Sequence, residues 1–215
     1  MFDTTAELRP RIGDRAGVWE FLRLFTAAWD LTGAGRSFDE PMPAALREAY
    51  ELGAILNATS RPYPEDGVLV FHHADPEITE TCWGVPLDMI GQDDPPVVID
   101  TGKGWLPYVD RVSLACVDIA LTTVVQEHEF ELCNAAELPA DAVEPALAPF
   151  DRVPLPDLPM WIDIEESPVR WYSAPGQLLR AHGEGGVWVW VSAQSGTALD
   201  ALYTAMPAAR GCWSN

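Results

Sequence analysis

The chain has 215 residues, 33 Asp and Glu against 13 Lys and Arg, and a formal net charge of -20. So negative a surface repels phosphate backbones, which argues against a nucleic-acid partner and favours a basic ligand. Apolar residues make up 48% and charged residues 21%, a balance that excludes wholesale disorder and lets a chain of this length bury a sizeable core.

The first residues, MFDTTAELRPRIGDR, carry Asp3 and Glu7 and lack the apolar centre of a signal peptide, so a cytoplasmic location is expected. Val18, Phe21, Leu22, Phe25 and Trp29 follow Asp14 at helical spacing. They predict a helix over 15–29 with Asp14 as its cap and Gly33 and Gly35 ending it. A second helix is expected from Pro43 to about Leu52, with Leu46 and Tyr50 on its buried stripe. The prolines and Asp-Gly pair of 61–67 mark a turn, and 68–71, 81–85 and 96–99 are β-branched and aromatic runs that predict short strands. A third helix over 112–128 is expected to cover one sheet face, with Leu114, Val117, Leu121, Val124 and Val125 along one side. Its apolar stretch, broken by Asp118, is shorter than the roughly 20 residues a bilayer requires, so no membrane association is expected.

Residues 134–160 are rich in Ala and Pro and predict an irregular connection. Beyond it, 160–164, 169–172, 177–180 and 186–191 predict strands, and 197–206 a closing helix. Trp188 and Trp190 alternate with Val187, Val189 and Val191, so the last strand is apolar on both faces. It is therefore expected to be central, with the C-terminal segment extending the first sheet or packing onto it. Together these elements predict an α+β fold with a predominantly antiparallel sheet covered by helices. Its expected parts are a domain over 1–133, a connection over 134–160 and a β-rich extension over 161–215.

Motifs for chemistry are sparse. Cys82, Cys116, Cys133 and Cys212 form no CxxC pair and are expected to be free thiols filling a core. His72 and His73, with Asp75 and Cys82 nearby, offer zinc-ligand types, but neighbours on a strand point to opposite faces. Glu127-His128-Glu129-Phe130-Glu131 lacks the second histidine of a metallopeptidase helix. No G-x-S-x-G elbow is present, and Gly33-Ala-Gly35 and Gly102-Lys-Gly104 are turn glycines rather than a phosphate cradle. No metal, no cofactor and no catalytic set are therefore expected. The alternative is a metal-dependent or acid-base hydrolase using His72, His73, Asp75, Asp163 or Glu165. Most tryptophans are expected in the core; Trp19, off the helical stripe, and Trp161, after the proline-rich connection, are the two with a reason to be exposed, and for these too the core is expected.

One ordered series carries more information. Pro41-Met-Pro43-Ala-Ala-Leu46-Arg-Glu-Ala-Tyr50 is followed by Asp66-Gly-Val-Leu-Val-Phe71, Cys82-Trp83-Gly84-Val85, Pro95-Pro-Val-Val98 and Gly104-Trp105, before a long helix. Over roughly 15–128 this resembles the SUKH superfamily, with Pro43, Leu46, Tyr50, Trp83, Gly84 and Trp105 at its motif positions. The usual Asn-Gly after the first motif is replaced by a separate Gly53 and Asn57. The resemblance implies a mixed α+β domain and a non-catalytic binding protein. Many bacterial members are immunity proteins that neutralise toxins, often nucleases, while distant relatives are regulatory scaffolds.

The charge pattern points the same way. Between Arg111 and Arg152 lie Asp118, Glu127, Glu129, Glu131, Glu137, Asp141, Glu144 and Asp151, with no Lys or Arg, so that stretch cannot neutralise itself. The expected partner is a basic protein such as a toxin. The candidate contact set is Glu127, Glu129, Glu131, Asp163, Glu165 and Glu166, with Trp161 as an aromatic anchor.

Overall fold

The computed structural model describes residues 1–54, 61–74, 79–127, 130–162, 168–183, 185–209 and 211–214. The fold is α+β, and every strand pairing within its two five-stranded sheets is antiparallel. The chain divides into two compact units, one of 13–120 with 161–164, the other of 1–12, 121–160 and 165–215.

The first unit begins with α2 (Arg15–Ala28), which follows a short α1 (Thr4–Leu8) belonging to the other unit. Asp14 caps α2 by accepting from the Gly17 amide at 2.8 Å, satisfying one of the orphan donors of the first turn. Trp19 is 1% exposed, in the core as expected: the apolar face of α2 is wide enough to take it in. Helix α3 (Ala44–Leu52) starts one residue later than expected, with Pro43 in the cap position and Gly53 closing it at φ 69°.

Gly33 and Gly35 do more than end a helix. A Cβ on Gly33 would lie 1.7 Å from the Gly53 carbonyl oxygen, and one on Gly35 would lie 2.2 Å from that of Glu51. Only a bare backbone can pass over the end of α3 at that distance.

The first sheet is a meander of β1 (Tyr63–Glu65), β2 (Val68–His73), β3 (Cys82–Pro86), β4 (Val97–Asp100) and β5 (Leu106–Val109). Its edge strands carry Pro64 and Pro107, which cannot donate to an added strand. Residues of the motif series explain its geometry. Register shifts between Val70 and His72, and the Tyr50 phenol donates to the Phe71 carbonyl at 2.9 Å, occupying an acceptor at the bulge. Gly84 sits where a Cβ would meet Val68 Cγ1 at 2.2 Å. Pro43, Leu46, Tyr50, Trp83 and Gly84 are buried and Trp105 is half-buried.

Helix α4 (Val112–Glu127) is buried almost all round, not along one stripe, as a helix without a polar face should be. Asp94 caps it, accepting from the Ser113 amide and hydroxyl at 2.9 and 2.6 Å. The one carboxylate on its inner turns, Asp118, is buried and accepts a short hydrogen bond from Tyr108. Among the described residues no helix is long and apolar enough to cross a membrane.

The second unit corrects two expectations. Residues 134–152 are not an irregular connection: they hold most of β6 (Cys133–Pro139), then α5 (Ala140–Leu147) and β7 (Asp151–Arg152), and only 153–160 is irregular. Pro139 joins β6 to α5, Pro145 lies inside α5, and Pro154, Pro156 and Pro159 fall in the irregular stretch after β7. Nor does the C-terminal segment extend the first sheet. With β8 (Arg170–Ala174), β9 (Gln177–His182) and β10 (Gly186–Ala193) it builds a second one, in the order β6-β10-β9-β8-β7. Strand β10 is interior, as its two apolar faces require. Its valine face packs with Leu138, Leu147, Leu179 and the α6 (Gly196–Ala205) residues Leu199 and Leu202. The N-terminal α1 also joins this unit, through Thr5, whose amide donates to Ser173 Oγ at 2.9 Å.

Candidate protein-binding face

Most of the expected contact set cannot be placed. Glu129, Asp163, Glu165 and Glu166 lie outside the described residues, and for Glu127 only the backbone, at the end of α4, is described. Glu131 is exposed, in a short turn of 3-10 helix before β6. Trp161 is not an anchor on the surface: it is 5% exposed, with its carbonyl accepting from Thr81 Oγ1 at 2.6 Å and its ring 6.2 Å from that of Trp83. The aromatic floor laid by Trp83 and Tyr108 draws it inward.

Of the groups proposed for hydrolysis, only His72 and His73 are described, and they lie against different rings. Asp75, Asp163 and Glu165 are outside the described residues. His72 lies beside Trp83, at 5.0 Å between rings, whereas His73 stacks on Tyr63 at 5.8 Å with the Tyr63 hydroxyl 3.1 Å from its Nε2. Burial, aided by His73, pushes the His72 pKa down to about 4. His73, Cys82 and Asp100 are cross-strand neighbours, but burial, with Asp100 and Glu65 adding, pushes the Cys82 thiol up to about 11. That leaves it protonated at neutral pH and a weak nucleophile. Asp100 Oδ1 accepts from the Gly102 and Gly104 amides at 2.7 and 2.9 Å, which makes that glycine pair a turn held by a side chain. Among the described residues no group of three or more His, Cys, Asp and Glu is placed to hold a metal ion. The four cysteines are free, and Cys212 is exposed rather than a core filler.

The second unit carries an open acidic arm. Glu131, Glu137, Asp141 and Glu144 are all exposed along β6 and α5. Of the unit's described arginines, Arg9 is exposed at the end of α1 and the others are engaged elsewhere. Arg11 pairs with Glu7 at 2.9 Å, and Arg152 and Arg170 both pair with Asp157 at 2.7 Å. The hydrogen bond from Arg170, more than the one from Arg152, holds the Asp157 carboxyl below the usual carboxylate range. Arg180 is buried, donating to Met160 Sδ with its guanidinium 5.9 Å from the centre of the Trp171 ring. Among the described residues, none of the four acids on the arm is in an ion pair.

Next to this arm lies a feature that sequence reasoning missed. On the face of β10 opposite the valines, Trp188 pairs across to Glu137 and Trp190 to Ala135. Trp190 is 39% exposed and Trp188 half-buried, their ring centroids 6.5 Å apart. The alternation of Trp and Val correctly predicts an interior strand, but an interior strand can still have an open end on one face. The signal available in the sequence was the glycine pair Gly185-Gly186, which leaves room beside the first tryptophan. No protein-family model, curated protein or solved structure matches this chain.

Proposed function

We propose that the chain is a non-catalytic protein-binding module, a cytoplasmic immunity-type protein of the SUKH kind that neutralises a basic toxin, such as a nuclease, by covering its cationic surface. The observation that carries this reading is the exposed acidic arm, Glu131, Glu137, Asp141 and Glu144, without an ion pair among the described residues, in a protein of net charge -20. A nuclease must be basic to grip phosphate, and complementary charge steers such a partner to the arm at rates far above those of neutral surfaces. The motif residues from Pro43 to Trp105 lend the family assignment its support, since their burial and backbone roles suit a scaffold rather than a reaction centre.

The test begins with affinity capture from source-cell lysate at low and high salt, followed by association kinetics with each purified basic protein recovered. The association rate is expected to fall steeply between 50 and 300 mM NaCl, as it does for steered encounters at roughly these ionic strengths. Co-expression is expected to relieve the toxicity of that protein in cells. An association rate indifferent to salt overturns the electrostatic reading, and undiminished toxicity overturns the immunity role.

A further inference from the structure

We infer that the corner of the second sheet formed by Trp188, Trp190 and Glu137 is a receptor for an arginine side chain on the basic partner, an assignment that rests on the function just proposed. The geometry is that of a cation seat. Trp188 and Trp190 project from the same face of β10, with ring planes 39° apart and centroids at 6.5 Å. Ala135, directly across from Trp190, is too small to cover that indole. Glu137, across from Trp188, is exposed. Its carboxylate lies against Gly186, where a Cβ would come within 2.4 Å of Oε1. The glycine therefore allows the carboxylate to rest on the strand beside the two rings.

The chemistry of the occupant follows from three further facts. The carboxylate at this corner is that of Glu137, and the cation across from Trp190 on β9, Arg180, is buried with its guanidinium turned over Trp171. An indole face attracts a cation, and a planar guanidinium can stack on it while its fork of N–H donors meets a carboxylate at two points, which an ammonium cannot do. The same sheet face already uses this pairing internally, holding the Arg180 guanidinium over Trp171. Among the described residues Trp190 has no such cation of its own.

The assignment is tested by titrating the intact protein with an acetylated, amidated tri-arginine peptide and its tri-lysine counterpart, and observing indole N–H resonances assigned with Trp188→Phe and Trp190→Phe variants. Tri-arginine is expected to shift both indoles and to bind more tightly than tri-lysine. Trp190→Ala and Glu137→Gln should each weaken it about tenfold, while Asp200→Asn, which removes an exposed acid from α6, leaves it unchanged. Equal losses in Glu137→Gln and Asp200→Asn would show attraction to net charge alone and overturn the site. So would indole shifts produced by cellotetraose but not by tri-arginine, which would make this a sugar-stacking surface. With the natural partner in hand, Trp190→Ala is expected to speed dissociation. A salt-sensitive partner whose dissociation is unaffected removes this corner and leaves the proposed function standing. Tri-arginine binding at the corner without any salt-sensitive protein partner does the reverse.

Discussion

Tyr50 shows how much one polar atom can settle. Its hydroxyl occupies the Phe71 carbonyl at the bulge of β2 while its ring packs edge-on against Phe38, 4.9 Å between centroids. Tyr50→Phe keeps the ring and leaves a buried acceptor empty, so a loss of about 1–3 kcal/mol is expected, read as a lower urea midpoint with unchanged slope. Half-buried His72 and buried His182 give a pH signature. Burial pushes His72 down to about 4, with His73 adding, and His182 down to about 4, with Arg180 adding. Above pH 6.5 these groups are neutral in both states. As pH falls from 6.5 towards 4 the unfolded chain takes up protons that the folded chain refuses. Stability should therefore decline by up to about 1.4 kcal/mol per pH unit for each histidine and level off below 4. Asp157 acts in a different window: its folded pKa is lowered, so its contribution is present above the ordinary carboxylate value and is lost as pH falls through the folded one. A His72→Gln, His182→Gln double variant should flatten the slope between pH 6.5 and 4. An undiminished slope would assign the loss to other groups.

At the scale of elements, the close crossing of 33–35 over the end of α3 makes a clean comparison. Gly33→Ala puts a Cβ into the Gly53 carbonyl, whereas Gly13→Ala meets nothing within 4 Å. The first should cost roughly 1–3 kcal/mol or more and the second almost nothing, measured as a difference in unfolding midpoint. That crossing was illegible in the sequence because it depends on where a distant helix ends. The same holds for 134–160. Proline density predicts irregular chain and finds it at 153–160, with Pro154, Pro156 and Pro159, but pairing with β10 decides that 133–139 is a strand. Legible, by contrast, were α2 with its Asp14 cap, the three strands at 68–73, 82–86 and 97–100, and the interior position of β10, because spacing, capping and two-sided apolarity are local. The candidate site divides in the same way. The surplus of acid on 131–144 could be counted, but the exposure of Trp190 beside Glu137 depends on cross-strand register, which no local pattern encodes.

For the molecule as a whole, the net charge of -20 sets a stability prediction that is independent of any partner. The described ion pairs are exposed or half-exposed: Arg11 with Glu7, Arg15 with Glu48, Arg61 with Glu40, and Arg152 and Arg170 with Asp157. Pairs of that kind contribute about 0–1 kcal/mol each, and salt weakens them. Opposing them is the mutual repulsion of the remaining carboxylates, which grows when the chain is compact and is also screened by salt. The two effects have opposite signs, and with 33 acids against 13 bases repulsion should win. Raising NaCl from about 0.01 to 0.1 M shortens the screening length from roughly 30 to 10 Å, so calorimetric unfolding at pH 7 should move to higher temperature. Falling midpoints over that range would mean that the arginine pairs outweigh the surplus, and that the acidic arm is less repulsive at home than its composition implies. The same screening that steadies the free protein should slow its encounter with a basic partner, so opposite salt responses of stability and association rate are expected of one and the same surface.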